Sequence, residues 1–222
     1  MTTFHPFELT AKGRVDLRSD QFPTTITTWA AESVELPASG THFGFVQSGA
    51  AELACASGRF TLRSGMYFAV PGTATIRGGT GLAITREGYH GFFQLGGPIE
   101  ETGRLRYIDG CTDSLLIAPV KLGDPCLNLL HIPPGTRQSA HTHPSIRVGL
   151  IVGGSGECVT PERRYSLRPG LAFVIAAEQM HSFHTDRESL LVIAYHPDSD
   201  FGPTDACHPM VNRTILPPEI RP

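Results

Sequence analysis

Hydrophobic positions along this chain fall in short bursts, and no stretch holds a helical period long enough for an extended amphipathic helix. The runs Leu115–Val120, Cys126–Ile132, Val148–Val152 and Leu190–His196 each have strand length, with turn-forming residues around them. In Cys126–Ile132 apolar residues occupy both parities, as expected for a strand buried on both faces. Ser33–Pro37 reads as a strand that stops at its proline, and Arg104–Ile108 as an edge strand before the turn Asp109-Gly110. Residues 1–30, polar and rich in threonine, read as an arm that adds a strand to a sheet edge. The pattern predicts an all-β chain with little helix.

From His42 the pattern repeats. A shift of 105 residues lays Phe43–Glu52 on Val148–Glu157 and, without a gap, Arg59–Phe68 on Arg164–Phe173. Eight of the 29 positions from 42 to 70 are identical, among them Gly44/Gly149, Glu52/Glu157, Arg63/Arg168 and Gly65/Gly170. An unbroken register through two strands and two turns points to one structural unit used twice. The expected division is an arm at 1–30, a first unit at 31–100, a second at 101–196, and a proline-rich tail at 197–222 packing on both.

Composition narrows the class. Hydrophobic content of 40% supports a packed core, and 24 glycines with 18 prolines suit many turns. A net charge of −3 without a basic cluster gives no footprint for nucleic acid. No apolar run reaches membrane-span length, and the opening residues lack the charged and apolar regions of a signal peptide, so a cytoplasmic protein is expected. The five cysteines include no Cys-x-x-Cys and read as free thiols.

The candidate chemistry lies in the second unit. His141 and His143, one residue apart, would point to the same side of a strand and reach one ion, and His181 arrives on a later strand. The first unit lacks this set: about nine residues that include the His-x-His are missing, Ile76 matches His181, and His42 stands opposite Arg147 as a lone, structural histidine. His131 and His196 read as core or edge residues. Asp198, Asp200, Asp205 and His208 allow a second metal site, but a solvated tail packed on a barrel accounts for them better.

The stretch Gly135–Gly154 resembles the first signature of the cupin superfamily, with Gly135, His141, His143 and Gly154 in place and Arg147 where that signature has glutamate. Gly170 and His181 fit the second signature, while Ala176, Glu178 and Thr185 replace its proline, second glycine and asparagine. The resemblance implies two tandem cupin barrels (double-stranded β-helix, or jelly-roll) in one chain, as a monomeric pseudo-dimer or a homodimer, with the metal motif kept only in the second. It also implies one divalent transition metal on His141, His143 and His181: iron by preference, with Mn, Ni, Zn or Co also compatible with imidazole. Arg147 in place of a carboxylate points to a small anionic, carboxylate-bearing ligand, unless the arginine turns away to pair with an acid. Glu178 and His184 lie three residues from His181, and alternation places both outward unless the loop bends. Two function classes remain: a metal-dependent enzyme, with a three-histidine dioxygenase first and an isomerase or lyase beside it, and a non-catalytic small-molecule sensor.

Overall fold

The computed structural model describes residues 4–9, 12–208, 210 and 215. The chain is all-β; a 3-10 turn at Ile108–Gly110 is the single helical element among the described residues. The first strands are β1 (Phe4–Glu8), β2 (Gly13–Leu17), β3 (Thr24–Ala30), β4 (Val34–Leu36), β5 (Gly40–Ser48), β6 (Ala50–Cys55), β7 (Gly58–Arg63), β8 (Tyr67–Pro71), β9 (Ala74–Arg77), β10 (Thr80–Glu87) and β11 (Gln94–Gly96). They are followed by β12 (Leu105–Arg106), β13 (Thr112–Ile117), β14 (Cys126–Ile132), β15 (Arg147–Gly154), β16 (Gly156–Val159), β17 (Arg164–Leu167), β18 (Leu171–Ile175), β19 (Ser182–His184) and β20 (Leu190–His196).

These strands form two sandwiches. A six-stranded sheet, β11-β8-β5-β10-β3-β2, covers the four-stranded sheet β4-β9-β6-β7, and a seven-stranded sheet, β1-β18-β15-β20-β14-β13-β12, covers the three-stranded sheet β17-β16-β19. The two large sheets pack on each other through a shared core that joins Ile26, Phe43, Phe45 and Ile84 to Leu127, Leu129, Val148 and Ile193. β14 is the strand with apolar residues of both parities: Leu127 and Leu129 enter that shared core, while Leu130 and Ile132 enter the core of the second sandwich.

At its start the N-terminal segment adds a strand to a sheet edge, as expected of the arm. Only β1 reaches across, pairing with β18 at the edge of the second sandwich. β3 is an interior strand of the first, between β10 and β2. The threonines misled the reading: Thr24, Thr25 and Thr28 are buried among strands, where a β-branched side chain packs well on the pleated surface. Residues 1–3 and 10–11, and 209, 211–214 and 216–222 of the expected tail, lie outside the described residues. No helix among the described residues is long and apolar enough to cross a membrane. The five cysteines are unpaired.

The repeat identities have physical reasons. Glu52 pairs with Arg59 at 2.8 Å, and Glu157 with Arg164 at 2.9 Å, each across a hairpin. Gly49 and Gly154, like Gly65 and Gly170, turn the chain at positive φ, where a Cβ is strained. Gly44 and Gly149 lie under the rings of Phe68 and Phe173; a Cβ on either would stand 2.0 Å from the ring. Gly44→Ala should therefore destabilise the fold by about 1–3 kcal/mol through overpacking. Urea denaturation reads the loss; an unchanged midpoint would show that the ring moves aside freely.

Candidate metal centre

The loop that carries the histidines runs antiparallel to β19 and its lead-in as an interrupted ladder. Thr136 N–H donates to Thr185 Oγ1 and Thr185 N–H to Thr136 O, both at 3.0 Å; Gln138 N–H meets Phe183 O at 3.1 Å. His141 and His181 exchange both backbone hydrogen bonds at 3.0 Å. The pair His141/His143 is thus not on a continuous strand, as alternation suggested; Pro144, without an N–H, follows it, and β15 starts only at Arg147. Cross-loop bonds, rather than strand pleat, converge the side chains.

One ligand atom from each of His141, His143 and His181 lies within 4.8 Å of the other two, the one such group of three among the described residues. His141 Nδ1 is 2.8 Å from Ser139 O, and His181 Nδ1 is 2.9 Å from Gln179 O. A carbonyl only accepts, so Nδ1 carries the proton in both rings and Nε2 is left with a bare lone pair. That is the tautomer a metal needs, held by the type of backbone partner that metal-ligating histidines use. The donor set therefore fits a divalent transition ion. Burial, with Arg147 and the neighbouring rings adding to it, holds the His143 ring down at about 3. Burial likewise lowers His181 to about 4, against the opposing pull of Gln179 O.

The three rings open on a cavity of about 250 Å³ between the sheets of the second sandwich. Its apolar lining includes Leu130, Phe173, Ile175, Phe183, Val192 and Ala194. Arg147 borders it, with a side chain only 11% exposed. Its Nη1 donates to Ser145 Oγ at 2.6 Å and to Ile146 O at 2.9 Å, and lies 3.6 Å from Asp198 Oδ1. Ser145 Oγ also donates to that same carboxylate oxygen. The arginine therefore faces the cavity and holds an acid at once, while its Nε is buried without a partner.

Other expected residues fall elsewhere. Glu178 is exposed at a left-handed φ of 59° and supports the loop through its backbone, its N–H donating to His143 O at 2.7 Å. His184 lies on β19 with Nε2 3.2 Å from Ser182 Oγ and is absent from the cavity lining. His131 contacts Thr112 Oγ1 at 3.3 Å. His42 is fully buried, with Nδ1 2.8 Å from Thr85 Oγ1 and Nε2 2.7 Å from Gly72 O, so it is satisfied as a structural group. Asp198 serves Arg147, and the tail turn is tied down by Gly123 N–H to Ser199 O at 3.0 Å.

Three cavity residues went unrecognised in the sequence. His196 was set aside as an edge residue, yet its ring centroid is 6.3 Å from that of His143, and burial lowers its pKa well below the usual value. Asp113 and Asn128 also line the cavity, with Asn128 Nδ2 3.3 Å from Asp113 Oδ2. Burial raises the Asp113 carboxyl to about 6, against the pull of that hydrogen bond. The available signal was parity: Val192, Ala194 and His196 share one face of β20, and Asn128 shares one of β14 with Leu130.

Comparisons with known proteins agree with this geometry. Residues 132–202 match the family model described as AraC-like ligand binding domain. No curated protein matches the chain by sequence. Among solved structures, a cupin 2 conserved barrel domain protein from Leptotrichia buccalis superposes with a TM-score of 0.63 at 12% identity, over 87% of this chain and 96% of that one. Protein Ylba from E. coli gives 0.63 at 16% identity, over 91% and 93%. The oxalate decarboxylase of Bacillus subtilis, studied for its Mn(II) centres, gives 0.56 at 11% identity, over 89% and 78%. The chain has the fold of the cupin superfamily.

The lowered histidines set a pH dependence for the metal-free protein. Above about pH 6.5 these rings are neutral whether the chain is folded or unfolded. Below that, the unfolded chain takes up protons that buried His143 and His181 refuse until about 3 and 4, so stability drains away as pH falls through this window. The slope is about 1.4 kcal/mol per pH unit for each ring. Urea midpoints measured from pH 7 to pH 4.5 should fall, and His181→Gln should flatten the profile; a flat wild-type profile contradicts the assignment.

Proposed function

We propose that this protein uses His141, His143 and His181 to hold one divalent transition-metal ion, iron by preference, and acts there on a small carboxylate-bearing molecule in an oxygen-dependent reaction. The convergence of three imidazoles, two of them with Nδ1 tied to a carbonyl, carries the reading. Imidazole suits Fe, Mn, Ni, Co and Zn alike, so the donor set fixes the charge type rather than the element. Three neutral ligands leave the full charge of a divalent ion in a partly dry cavity, with open positions for a ligand. Iron there would supply the redox chemistry.

The protein's own residues do the rest. Arg147 offers a fixed positive charge and a free Nε to an anionic group, which orients it relative to the histidine corner. The apolar walls exclude water around the remainder of the molecule. His196, neutral and beside His143, is placed to exchange a hydrogen bond with a bound ligand.

A second reading is binding without turnover. It is favoured by the match of residues 132–202 to a model for AraC-like ligand binding domains. Oxygen consumption by the metal-loaded protein against a panel of small acids separates the two: uptake with one acid supports the enzyme, and saturable binding without uptake supports the sensor.

Metal analysis should give one ion per chain in the wild type and a loss in the His141→Ala/His143→Ala double variant. Retention of metal by that variant removes the proposed site. Arg147→Met should keep the ion and weaken carboxylate binding by about 1.5–3 kcal/mol, the range for a hydrogen bond to a charged group. Calorimetric titration showing equal affinity in both proteins would dismiss Arg147 as the anion partner.

A further inference from the structure

The wall of the cavity formed by β13 and β14 has a polar pair that metal binding does not employ. Asn128 turns its Nδ2 toward the carboxylate of Asp113, at 3.4 Å and 3.3 Å from the two oxygens. That choice leaves Asn128 Oδ1 buried and without a hydrogen-bond partner. Arg147 Nε is likewise buried and unpartnered. Two residues that line the cavity thus carry one unmet acceptor and one unmet donor, and leaving such groups unpaired is costly.

Strand pairing fixes their relative placement. Asn128 lies opposite Ala194 on β20, and Ala194 lies opposite Gly149 on β15. Arg147 stands two residues before Gly149 on the same face. Two strand spacings, roughly 10 Å, thus separate the two backbone positions laterally. The residues between, Ala194 and Gly149, are small, which leaves a hollow flanked by Leu130, Val192 and Phe173. A ligand that satisfies both ends carries an anionic group at one end, an apolar body over the small residues, and a hydrogen-bond donor at the other end. The donor should be uncharged, because Arg147 already supplies a positive charge at the other end of the hollow.

We propose that Asn128 Oδ1, positioned by Asp113, is a specificity-determining acceptor that selects a hydroxyl-bearing small acid with an apolar body over the same acid without the hydroxyl. This rests on the reading of the cavity as a carboxylate site given above.

The test uses the metal-loaded full chain, with 3- and 4-hydroxybenzoate compared against benzoate by calorimetry. One of the hydroxylated acids should bind about fivefold or more tightly than benzoate, as one neutral hydrogen bond allows. Asn128→Leu and Asn128→Val should keep the metal and the affinity for benzoate while losing the preference. Valine is included because the matching position of the first sandwich carries the β-branched Thr27, so the sheet accepts that shape and one folded variant suffices. A preference that survives in a folded variant overturns the proposal, since the metal or Arg147 must then read the hydroxyl. Benzoate and both hydroxybenzoates binding equally to wild type also overturns it, leaving the carboxylate site intact. Failure of all three acids to bind the metal-loaded wild type defeats this inference and the carboxylate reading together.

Discussion

The contact between the two large sheets constrains everything else in the molecule. Along β20, Ile193 and Tyr195 point into that contact, and the ring of Tyr195 packs 5.3 Å from Phe43 of the other sandwich. Strand alternation then commits Val192, Ala194 and His196 to the opposite face, which is the cavity. The same parity holds on β15, where Val148 and Leu150 are locked in the contact and Arg147 and Gly149 face the other way. A slip of one residue would carry Arg147 into an apolar interface and Val148 into the cavity. Burial between the sheets thus sets the register of the chemistry without contributing a ligand.

The contrast between the two sandwiches is informative. Strand register matches Gly44 and Ala83 of the first to Gly149 and Ala194 of the second, so the floor is alike in both. What differs is the residue beside it. Trp29 occupies the position of Leu130, and Gly81 opposite it replaces Val192. Gly81 makes room, since a Cβ there would stand 2.7 Å from the indole, and Trp29 is fully buried with Nε1 donating to Gly78 O at 3.1 Å. Ile76, matching His181, is also fully buried in that core. In the first sandwich packed side chains fill the corresponding place, while the second keeps the space and the polar groups.

Much of this was legible in the sequence because it rests on local pattern. Cys126–Ile132 was marked as a doubly buried strand, and the observed β14 has those bounds. The gapless repeat followed from turn glycines and hairpin ion pairs that recur for steric and electrostatic reasons. The three histidines could be picked out by spacing, although the loop that holds them is shaped by bonds to residues about 40 positions away, which spacing does not reveal. Asp113, Asn128 and His196 were harder to see. Each is one polar residue in an apolar strand, and only the pairing of β13, β14 and β20 brings them to the same wall. Asp198 was hidden for the same reason, since nothing local in the tail shows that it will meet Ser145 and Arg147.

That last contact changes what the arginine does. An arginine placed where the resemblance calls for a glutamate would, alone, add a buried charge beside three imidazoles. Asp198 compensates it from outside the signature, at 3.6 Å and with a side chain only 19% exposed, in surroundings of low dielectric where the attraction is strong. Ser145 bonds both partners, so the pair is held on the Nη1 side of the guanidinium. Nε is left buried and without a partner. On the proposed reading an entering anion would not need to displace Asp198; it would meet a guanidinium already fixed in place and lose little ordering freedom in doing so. The acid that the signature lacks has become a positioning group for its replacement.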